Sequence, residues 1–370
     1  MADNKNQHFV PKVHFRPFSV DREGKAIHLF NLDNGRAIPN APVRNQCSGD
    51  YFYGHDRNLE TAIQTIEGAY GQMLQRLLPP EAEPGALDGV VLRRFMLLQN
   101  LRTEAAAASA SQVMAAMARF PGSFSDGEAF DIKVAIKVAV EEAMLVFARS
   151  MKIVDDLRLT IVRNRSGTPF ITSDDPAVLT NRWYLQNSRA RGLSFSLRQS
   201  GMILLMPLSP TTLAFLHDPD VYAIGHRRGL VWIEDDAEAA ALNAHQILNC
   251  AANLYFHDWE TRDRVGASVA ASLTARLGPR HRTTYAVRGE QVGEHVRYDV
   301  QPFEEIAFEE RKDVLIHTEV LRPQPGRWPA FLNYHRGGRV YSNGSRTGFV
   351  RRGCLEAGFV EGTGYRRIRL

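Results

Sequence analysis

Cysteine is scarce in this chain. Its 370 residues include three cysteines, Cys47, Cys250 and Cys354. An odd, widely spaced set excludes the paired framework of a disulfide-stapled domain, and no Cys-x-x-Cys pair or Cys/His spacing indicates a zinc site. Such a chain suits a reducing compartment, so we expect a cytoplasmic protein.

Long apolar runs are missing too. The most apolar stretch, residues 202–208, is far shorter than the roughly 20 residues that cross a bilayer. The first residues are polar and no apolar segment follows them, so a secretory signal is not predicted. We therefore expect no association with a membrane.

Short catalytic signatures are also absent. The sequence contains neither the glycine-rich loops that cradle nucleotide phosphates nor the motifs of zinc proteases, serine hydrolases and protein kinases. After Asp174, no strand carries the Glu-x-Lys pattern of a restriction-type nuclease site. No single motif fixes a reaction, so candidate residues have to be sought in dispersed clusters.

Lysine is absent from residues 322–369, which contain ten arginines and two acids, Glu356 and Glu361. This stretch carries a charge of +8, so the rest of the chain carries −4 within the net charge of +4. A segregated basic segment is typical of a protein that contacts an anionic partner such as nucleic acid. The alternative is that these arginines pack on aromatic rings and pair with the acids of residues 304–310.

The hydrophobic periodicity predicts an α+β fold, because an extended N-terminal segment, a helical block, an antiparallel β block and a basic, β-rich C-terminal module follow one another without βαβ alternation. The predicted helices cover residues 58–77, 88–104 with a continuation through 105–118, 128–150 and 235–258. The predicted strands cover residues 27–32, 157–163 in a hairpin with 169–172, 202–208 paired with 212–216, and a short hairpin at 337–341. We divide the chain into a main domain (1–260), an acidic connecting segment (261–320) and the C-terminal module (321–370).

Two histidines and an arginine occur in the short extended run near the N-terminus. His8, His14 and Arg16 share the same parity, so a continuous strand would direct all three to one face. Imidazoles transfer protons near neutral pH, and a guanidinium binds phosphate. The alternative interpretation is that the histidines hydrogen-bond neighbouring backbone groups.

A hydroxyl and two carboxylates follow the strand predicted to end at Thr172. Ser173, Asp174 and Asp175 would lie at the end of that strand, where ligands often bind. Carboxylates there can act as a general base or hold a divalent metal. Equally, one of them could cap the following turn.

Polar residues also occur on the first two predicted helices. Glu60 and Glu67 are seven residues apart and lie nearly on one face. Gln99 and Arg102, three residues apart, can contact a common neighbour. These side chains could join a phosphate-handling site, or Arg102 could form an ion pair with a glutamate of the other helix.

The opening segment resembles the first motif of DUF4238, a bacterial and fungal family of unknown function. The stretches that carry the resemblance are Gln7–Pro11, Phe15–Phe18, the Glu60/Glu67 helix, Leu98–Thr103, Phe170–Pro176, Pro207–Pro210 and Ala252–Tyr255, within residues 7–258. The sequence departs from the family pattern at His14, where a hydrophobic or aromatic residue is usual, and at Asp175, where asparagine is common. The resemblance implies no established reaction, although such proteins are suspected of toxin-like or antiviral roles.

We therefore expect a nucleic-acid-directed hydrolase, either a ribonuclease-like toxin or an antiviral defence effector. The expected catalytic residues are His8 for proton transfer, Arg16 and Arg102 for phosphate charge, and Glu67 and Asp174 as acid/base groups or metal ligands, with Asp175 as a further candidate ligand. The expected substrate-binding residues are Gln99, Ser173, Arg351, Arg352, Arg366 and Arg367. A divalent metal is possible and no other cofactor is indicated. Two alternatives stay open, namely a non-enzymatic binding protein in which these polar residues brace the fold, and a hydrolase of a small nucleotide.

Overall fold

The computed structural model describes residues 6–50, 52, 57–103, 106, 132–190, 193–276, 281–293 and 295–370. The helices are α1 (Lys12–Phe15), α2 (Arg57–Leu77), α3 (Ala86–Arg102), α4 (Ile132–Ser150), α5 (Arg182–Gln186), α6 (Asp236–Asn249), α7 (Arg262–Ser272) and α8 (Arg352–Glu356). The strands are β1 (Asn6–His8), β2 (Ala26–Asn31), β3 (Arg36–Pro42), β4 (Ser48–Asp50), β5 (Arg158–Asn164), β6 (Thr172–Ser173), β7 (Val178–Thr180), β8 (Ile203–Ser209), β9 (Thr212–His217), β10 (Tyr222–Ala223), β11 (Leu230–Ile233), β12 (Asn253–Phe256), β13 (His281–Val292), β14 (His295–Gln301), β15 (Leu315–Val320), β16 (Asn333–Tyr334), β17 (Arg339–Ser342) and β18 (Arg366–Arg369). The predicted α+β class is confirmed.

Helices α2, α3 and α4 form the predicted helical block, in which α3 packs against both of the others. The apolar stripe of α2 is buried in a cluster that α3 and the central sheet complete. Helix α2 ends just before Pro79-Pro80, because proline cannot continue an α-helix. Apart from Ala106, the continuation predicted through residues 105–118 lies outside the described residues.

The central sheet has the strand order β11-β5-β9-β8-β7. Strand β11 is parallel to β5, whereas the β8–β9 hairpin is antiparallel, as the sequence predicts. Along β8, Leu204 and Met206 face the helical cluster, while Ile203 and Leu205 face a second buried cluster. Strand β8 is therefore buried on both faces, which accounts for its uninterrupted apolar sequence.

The C-terminal part of the chain covers the second face of the central sheet. Trp328, Leu332 and Val340 belong to the same buried cluster as Ile203. Strand β17 pairs with β18, which is more distant in sequence, whereas the short local hairpin predicted at 337–341 is reduced to a single bridge between Tyr341 and Val350. Residues 321–370 thus share a hydrophobic core with the main domain.

Residues 261–320, predicted as a connecting segment, form regular structure. They contain α7 and a three-stranded sheet of order β14-β13-β15. A small buried cluster of Tyr285, Val287 and Ile306 lies beside this sheet.

A four-stranded sheet of order β3-β2-β12-β6 lies beside the N-terminal segment. The predicted turn between β2 and β3 is present, and Gly35 there has the positive φ of 62° that favours glycine. Two other predictions are wrong. Residues 169–172 do not pair with β5, since the Ile171 N–H donates to Asn243 Oδ1 (3.0 Å) and β6 pairs with β12. The helix predicted over 235–258 ends at Asn249, and β12 occupies its expected C-terminal turns.

The N-terminal segment does not form one continuous strand. Strand β1 ends at His8, and helix α1 begins after Pro11, whose φ of −70° suits a helix start. His14 lies on that helix, and Arg16 is the first residue of a 3₁₀ turn that ends at Phe18. The prediction that His8, His14 and Arg16 share one strand face is therefore wrong, because parity applies only within an unbroken strand.

Among the described helices, none has both the length and the apolar character needed to cross a bilayer.

Candidate functional site

A cavity of about 510 Å³ lies between the N-terminal segment and helix α2. Of the residues that the structure describes, four ionisable side chains line it, His8 and Lys12 from the N-terminal side and Glu60 and Glu67 from α2. Amide side chains complete its polar lining, from Asn6, Gln7, Gln64, Gln72 and Gln75. This volume is typical of small-molecule sites. We call this space the His8 cavity.

The imidazole of His8 is half-buried at the end of β1. Its Nδ1 lies 3.1 Å from the carbonyl oxygen of Gln46, which can only accept, so Nδ1 carries the proton of the neutral ring. Nε2 is therefore the basic nitrogen, and this atom is buried, so the ring has to turn or its surroundings have to move before it meets a substrate. Burial, reinforced by the charge of Lys12, lowers the pKa of His8 below its ordinary value, and the Gln46 hydrogen bond opposes this only partly. His8 is therefore a neutral base at pH 7.

The carboxylate of Glu67 is held by a fully buried arginine. Arg102 NH1 donates to Glu67 Oε1 (2.7 Å), while its Nε and NH2 donate to Gln99 Oε1 (3.2 and 3.0 Å). Gln99 in turn donates to the carbonyl oxygen of Phe9 (2.7 Å). This is the interhelical ion pair left open as an alternative by the sequence, and it fixes the carboxylate while keeping Arg102 out of the cavity.

The second histidine of the opening motif is inaccessible. His14 is fully buried, and its ring nitrogens hydrogen-bond Tyr70 Oη (2.9 Å) and Thr172 Oγ1 (3.0 Å). Burial, with a smaller contribution from the charge of Arg102, lowers the pKa of His14 to about 3. His14 ties α1 to α2 and β6 and is not placed to meet a substrate.

The carboxylate of Asp174 lies away from the His8 cavity and is occupied by backbone groups. Its Oδ1 accepts from the Ala251 N–H (2.7 Å), and its Oδ2 accepts from Ala252 and Asn253 (both 2.8 Å). Asp174 thus fixes the loop between α6 and β12, instead of capping its own turn.

The neighbours of Asp174 are also engaged within the fold. Ser173 Oγ donates to Gln246 Oε1 (2.7 Å), and Asp175 accepts from Thr103 Oγ1 (3.1 Å). Within the described ranges, no group of three histidine, cysteine or acidic side chains is placed to hold a metal ion. The contacts of Asp174 and Asp175 tie neighbouring elements together, and the metal role that the sequence suggested for them stays a prediction.

Arg16 faces a second cavity, of about 410 Å³, which also has Arg22 in its lining. Val13 and Gly71 line both cavities, and a Cβ at position 71 would lie 3.0 Å from Val13 Cγ2. Glycine at 71 lets Val13 pack directly on α2, and Gln75 also lines both spaces, so the two cavities are neighbours along α2. We call the second space the Arg16 cavity.

Residues 6–260 match the profile of a family described as a protein of unknown function, DUF4238. The match covers more than half of the chain. The chain belongs to the DUF4238 family. No curated protein and no solved structure matches it. Both cavities lie within the part that matches DUF4238, whereas the basic C-terminal segment lies outside it.

Outside the DUF4238 match, the predicted substrate-binding arginines differ in their surroundings. Arg351 is buried, pairs with Asp156 and donates to the carbonyl oxygens of Ile153 and Leu197 (both 2.6 Å), so it cannot meet a substrate. Arg352 is exposed but lies 3.7 Å from acids on both sides.

Strand β18 presents the remaining predicted arginines of this chain. Arg366 and Arg367 are exposed and form no ion pair with a described residue, and the same holds for Arg369. In the β17–β18 register, Arg369 lies opposite Arg339 and Arg367 opposite Tyr341, while the pair between them, Val340 and Ile368, faces the core. The outward face of β17–β18 is therefore cationic.

Several polar residues of the His8 cavity were not predicted from the sequence. Gln64 and Gln75 lie at helical spacing from Glu60 and Glu67, so a search along that predicted helix face would have found them. Lys12 has the same parity as His8, so even a continuous strand would direct both side chains to one face, and this signal could have identified it.

Proposed function

We propose that this protein hydrolyses phosphodiester bonds of nucleic acid in the His8 cavity. The proposal is carried by one observation, the convergence of a neutral imidazole, an ammonium group and an oriented carboxylate on one polar cavity. A base, a cation and a fixed acceptor are the groups that such a displacement needs.

Each group has a distinct role in the proposed reaction. His8 accepts the proton of the attacking hydroxyl or water as its oxygen bonds to phosphorus, since its lowered pKa keeps it neutral at pH 7. The phosphorus–oxygen bond to the leaving group breaks in the same displacement, and the leaving oxygen takes its proton from protonated His8 or from water. The ammonium of Lys12 stabilises the charge that develops on the phosphoryl oxygens. Glu67 uses Oε2, which has no hydrogen bond within the described part of the chain, to orient the nucleophile, because Oε1 is fixed by Arg102.

The remaining candidates take supporting roles in this proposal. Arg102 positions Glu67 without touching substrate, and Gln99 positions Arg102. Arg16 lies in the neighbouring cavity, where it contacts a more distant part of the substrate. Asp174 contributes to folding alone.

The substitution His8→Asn tests the proposal. The asparagine amide can still donate to the Gln46 carbonyl, so folding should be retained while the base is lost. We expect kcat/KM for labelled RNA or DNA to fall by roughly 100-fold or more. As the pH falls, the wild-type rate should decline only at a pH below the ordinary histidine pKa of about 6.5, because the pKa of His8 is depressed. The His8→Asn variant should lack this decline.

The exposed His335, which has no role in the cavity, provides the matched control as His335→Asn. Its kcat/KM should equal that of the wild type. If the wild type leaves RNA and DNA intact across pH and divalent metals, the proposal is wrong, and the polar groups act as braces or in binding a non-polymeric ligand.

The cationic face of β17–β18 would supply a sequence-independent contact with the nucleic-acid backbone. Arginines on one strand face can neutralise successive phosphates, and Tyr341 can stack on a base. The double substitution Arg367→Gln/Arg369→Gln should reduce the slope of log Kd against log salt by about 1.5 units for single-stranded RNA, measured by fluorescence anisotropy.

Arg352→Gln is the control for that experiment, because Arg352 already lies near Asp220 and Glu356. Its slope should match that of the wild type. Equal slopes for the double variant and the wild type would exclude the β17–β18 face from nucleic-acid binding.

A further inference from the structure

The Arg16 cavity combines an apolar wall with two cationic groups. Val13, Pro17, Leu74, Leu78 and Pro210 form the wall. Arg16 and Arg22 supply the charge, and among the described residues no carboxylate lines this space. Two guanidinium groups facing one cavity without an acid repel each other, so the arrangement favours an anionic occupant.

The position of Arg16 is set by close packing. A Cβ at position 24 would lie 3.0 Å from Arg16 Cγ, so the glycine there lets the arginine stem lie against the loop. Ser19 fixes the same loop, because its Oγ donates to the Arg16 carbonyl oxygen (2.8 Å) and accepts from the Gly24 N–H (3.0 Å). The guanidinium of Arg16 makes no hydrogen bond or ion pair within the described residues.

Arg22 is presented to the cavity by a strained backbone. Its φ of 56° lies in the left-handed region, which an arginine adopts only at an energetic cost. The acids beside it are occupied elsewhere, since Asp21 accepts from the Glu23 and Gly24 N–H groups (2.9 and 3.1 Å) and Glu23 pairs with Lys25 (2.5 Å). The loop therefore leaves the charge of Arg22 available.

Hydroxyl groups of the β8–β9 turn also line the cavity. Ser209 and Thr211 line it, and the Thr211 N–H donates to Ser209 Oγ (3.2 Å), which fixes the turn. Thr211 is exposed, so its hydroxyl can meet a polar group of a ligand. Gln75 adds an amide from α2.

We propose that the Arg16 cavity binds a nucleoside monophosphate, with the phosphate between Arg16 and Arg22 and the base against the apolar wall. Guanidinium groups bind phosphate oxygens through paired, charge-assisted hydrogen bonds. The wall gives the flat ring an apolar surface, and Thr211 and Gln75 line the same space and can hydrogen-bond sugar hydroxyls. A volume of about 410 Å³ is ample for a ligand of this size.

This inference does not depend on the proposed hydrolysis. His8 does not line the Arg16 cavity, so binding there can be measured in a variant that lacks His8. If hydrolysis does occur, the bound nucleotide marks where the substrate extends beyond the scissile bond.

Calorimetric titration with AMP, adenosine and inorganic phosphate tests the inference. AMP should bind at least 10-fold more tightly than either adenosine or phosphate alone, because only AMP uses both the wall and the arginines. Arg16→Gln and Arg22→Gln should each weaken AMP binding by roughly 10-fold or more, and His8→Asn should not change it. Arg36→Gln, at an exposed arginine of β3, is the matched control and should leave the Kd unchanged.

The variant Arg22→Gly separates lost ligand contact from misfolding. Glycine relieves the strain at a φ of 56°, so this variant should melt at a higher temperature than the wild type while binding AMP more weakly. Absence of AMP binding at millimolar concentration, or equal affinities for the wild type and the two glutamine variants, would overturn the inference. Stronger binding of phosphate than of AMP would overturn the assignment of the wall to a base.

Discussion

Asp174→Ala should lower the free energy of unfolding by about 3–5 kcal/mol, although Asp174 lies outside the His8 cavity. Its two carboxylate oxygens accept three backbone N–H groups, from Ala251, Ala252 and Asn253. Alanine would leave these donors without acceptors at the junction of α6 and β12. Chemical denaturation followed by circular dichroism gives the free energy directly.

The matched control is Asp33→Ala, in the exposed turn between β2 and β3. It should change the free energy of unfolding by no more than about 0.5 kcal/mol. Under conditions in which the Asp174→Ala variant is folded, it should retain the proposed nucleic-acid cleavage, because the Asp174 carboxylate does not line the His8 cavity. A stable but inactive Asp174→Ala would contradict the structural role and restore Asp174 as a catalytic or metal-binding residue.

Local pattern was sufficient where one element decides its own conformation. The spacing of Ile63, Tyr70 and Leu77 predicts α2, and the apolar run 202–208 followed by a proline turn predicts the β8–β9 hairpin. The pairing of Arg102 with a glutamate of the neighbouring helix was also open to prediction, since both residues lie on helices that the sequence identifies.

Other features depend on partners that are distant in sequence. The backbone N–H groups that donate to Asp174 lie more than seventy residues away in the sequence, and Asp156, which pairs with Arg351, lies still farther from it in the sequence. No periodicity carries such information. The break after His8 was obscured for another reason, because Pro11 is compatible both with an extended segment and with the start of a helix. Because of that ambiguity, Arg16 was predicted to share a site with His8, whereas it lines the neighbouring cavity.

The burial of the Glu67–Arg102 pair is asymmetric, and this predicts an order of effects. The side chain of Arg102 is 0% exposed, whereas that of Glu67 is 23% exposed. Glu67→Leu leaves a charge in the interior and should lower the free energy of unfolding by about 3–5 kcal/mol. Arg102→Met leaves a carboxylate that water can reach, together with the buried oxygen of Gln99, and should cost less, about 2–3 kcal/mol.

Combining the two substitutions tests whether the pair acts as a unit. The double variant removes both charges, so it should be more stable than Glu67→Leu alone, with a coupling energy of about 1–3 kcal/mol in chemical denaturation. Glu60→Leu, on the same helix face, is the control and should show no such coupling with Arg102→Met. Additive losses, or a larger loss for Arg102→Met than for Glu67→Leu, would contradict the expectation. Either result would mean that Arg102 stabilises the fold mainly through Gln99 and Phe9, and that Glu67 is oriented by other contacts.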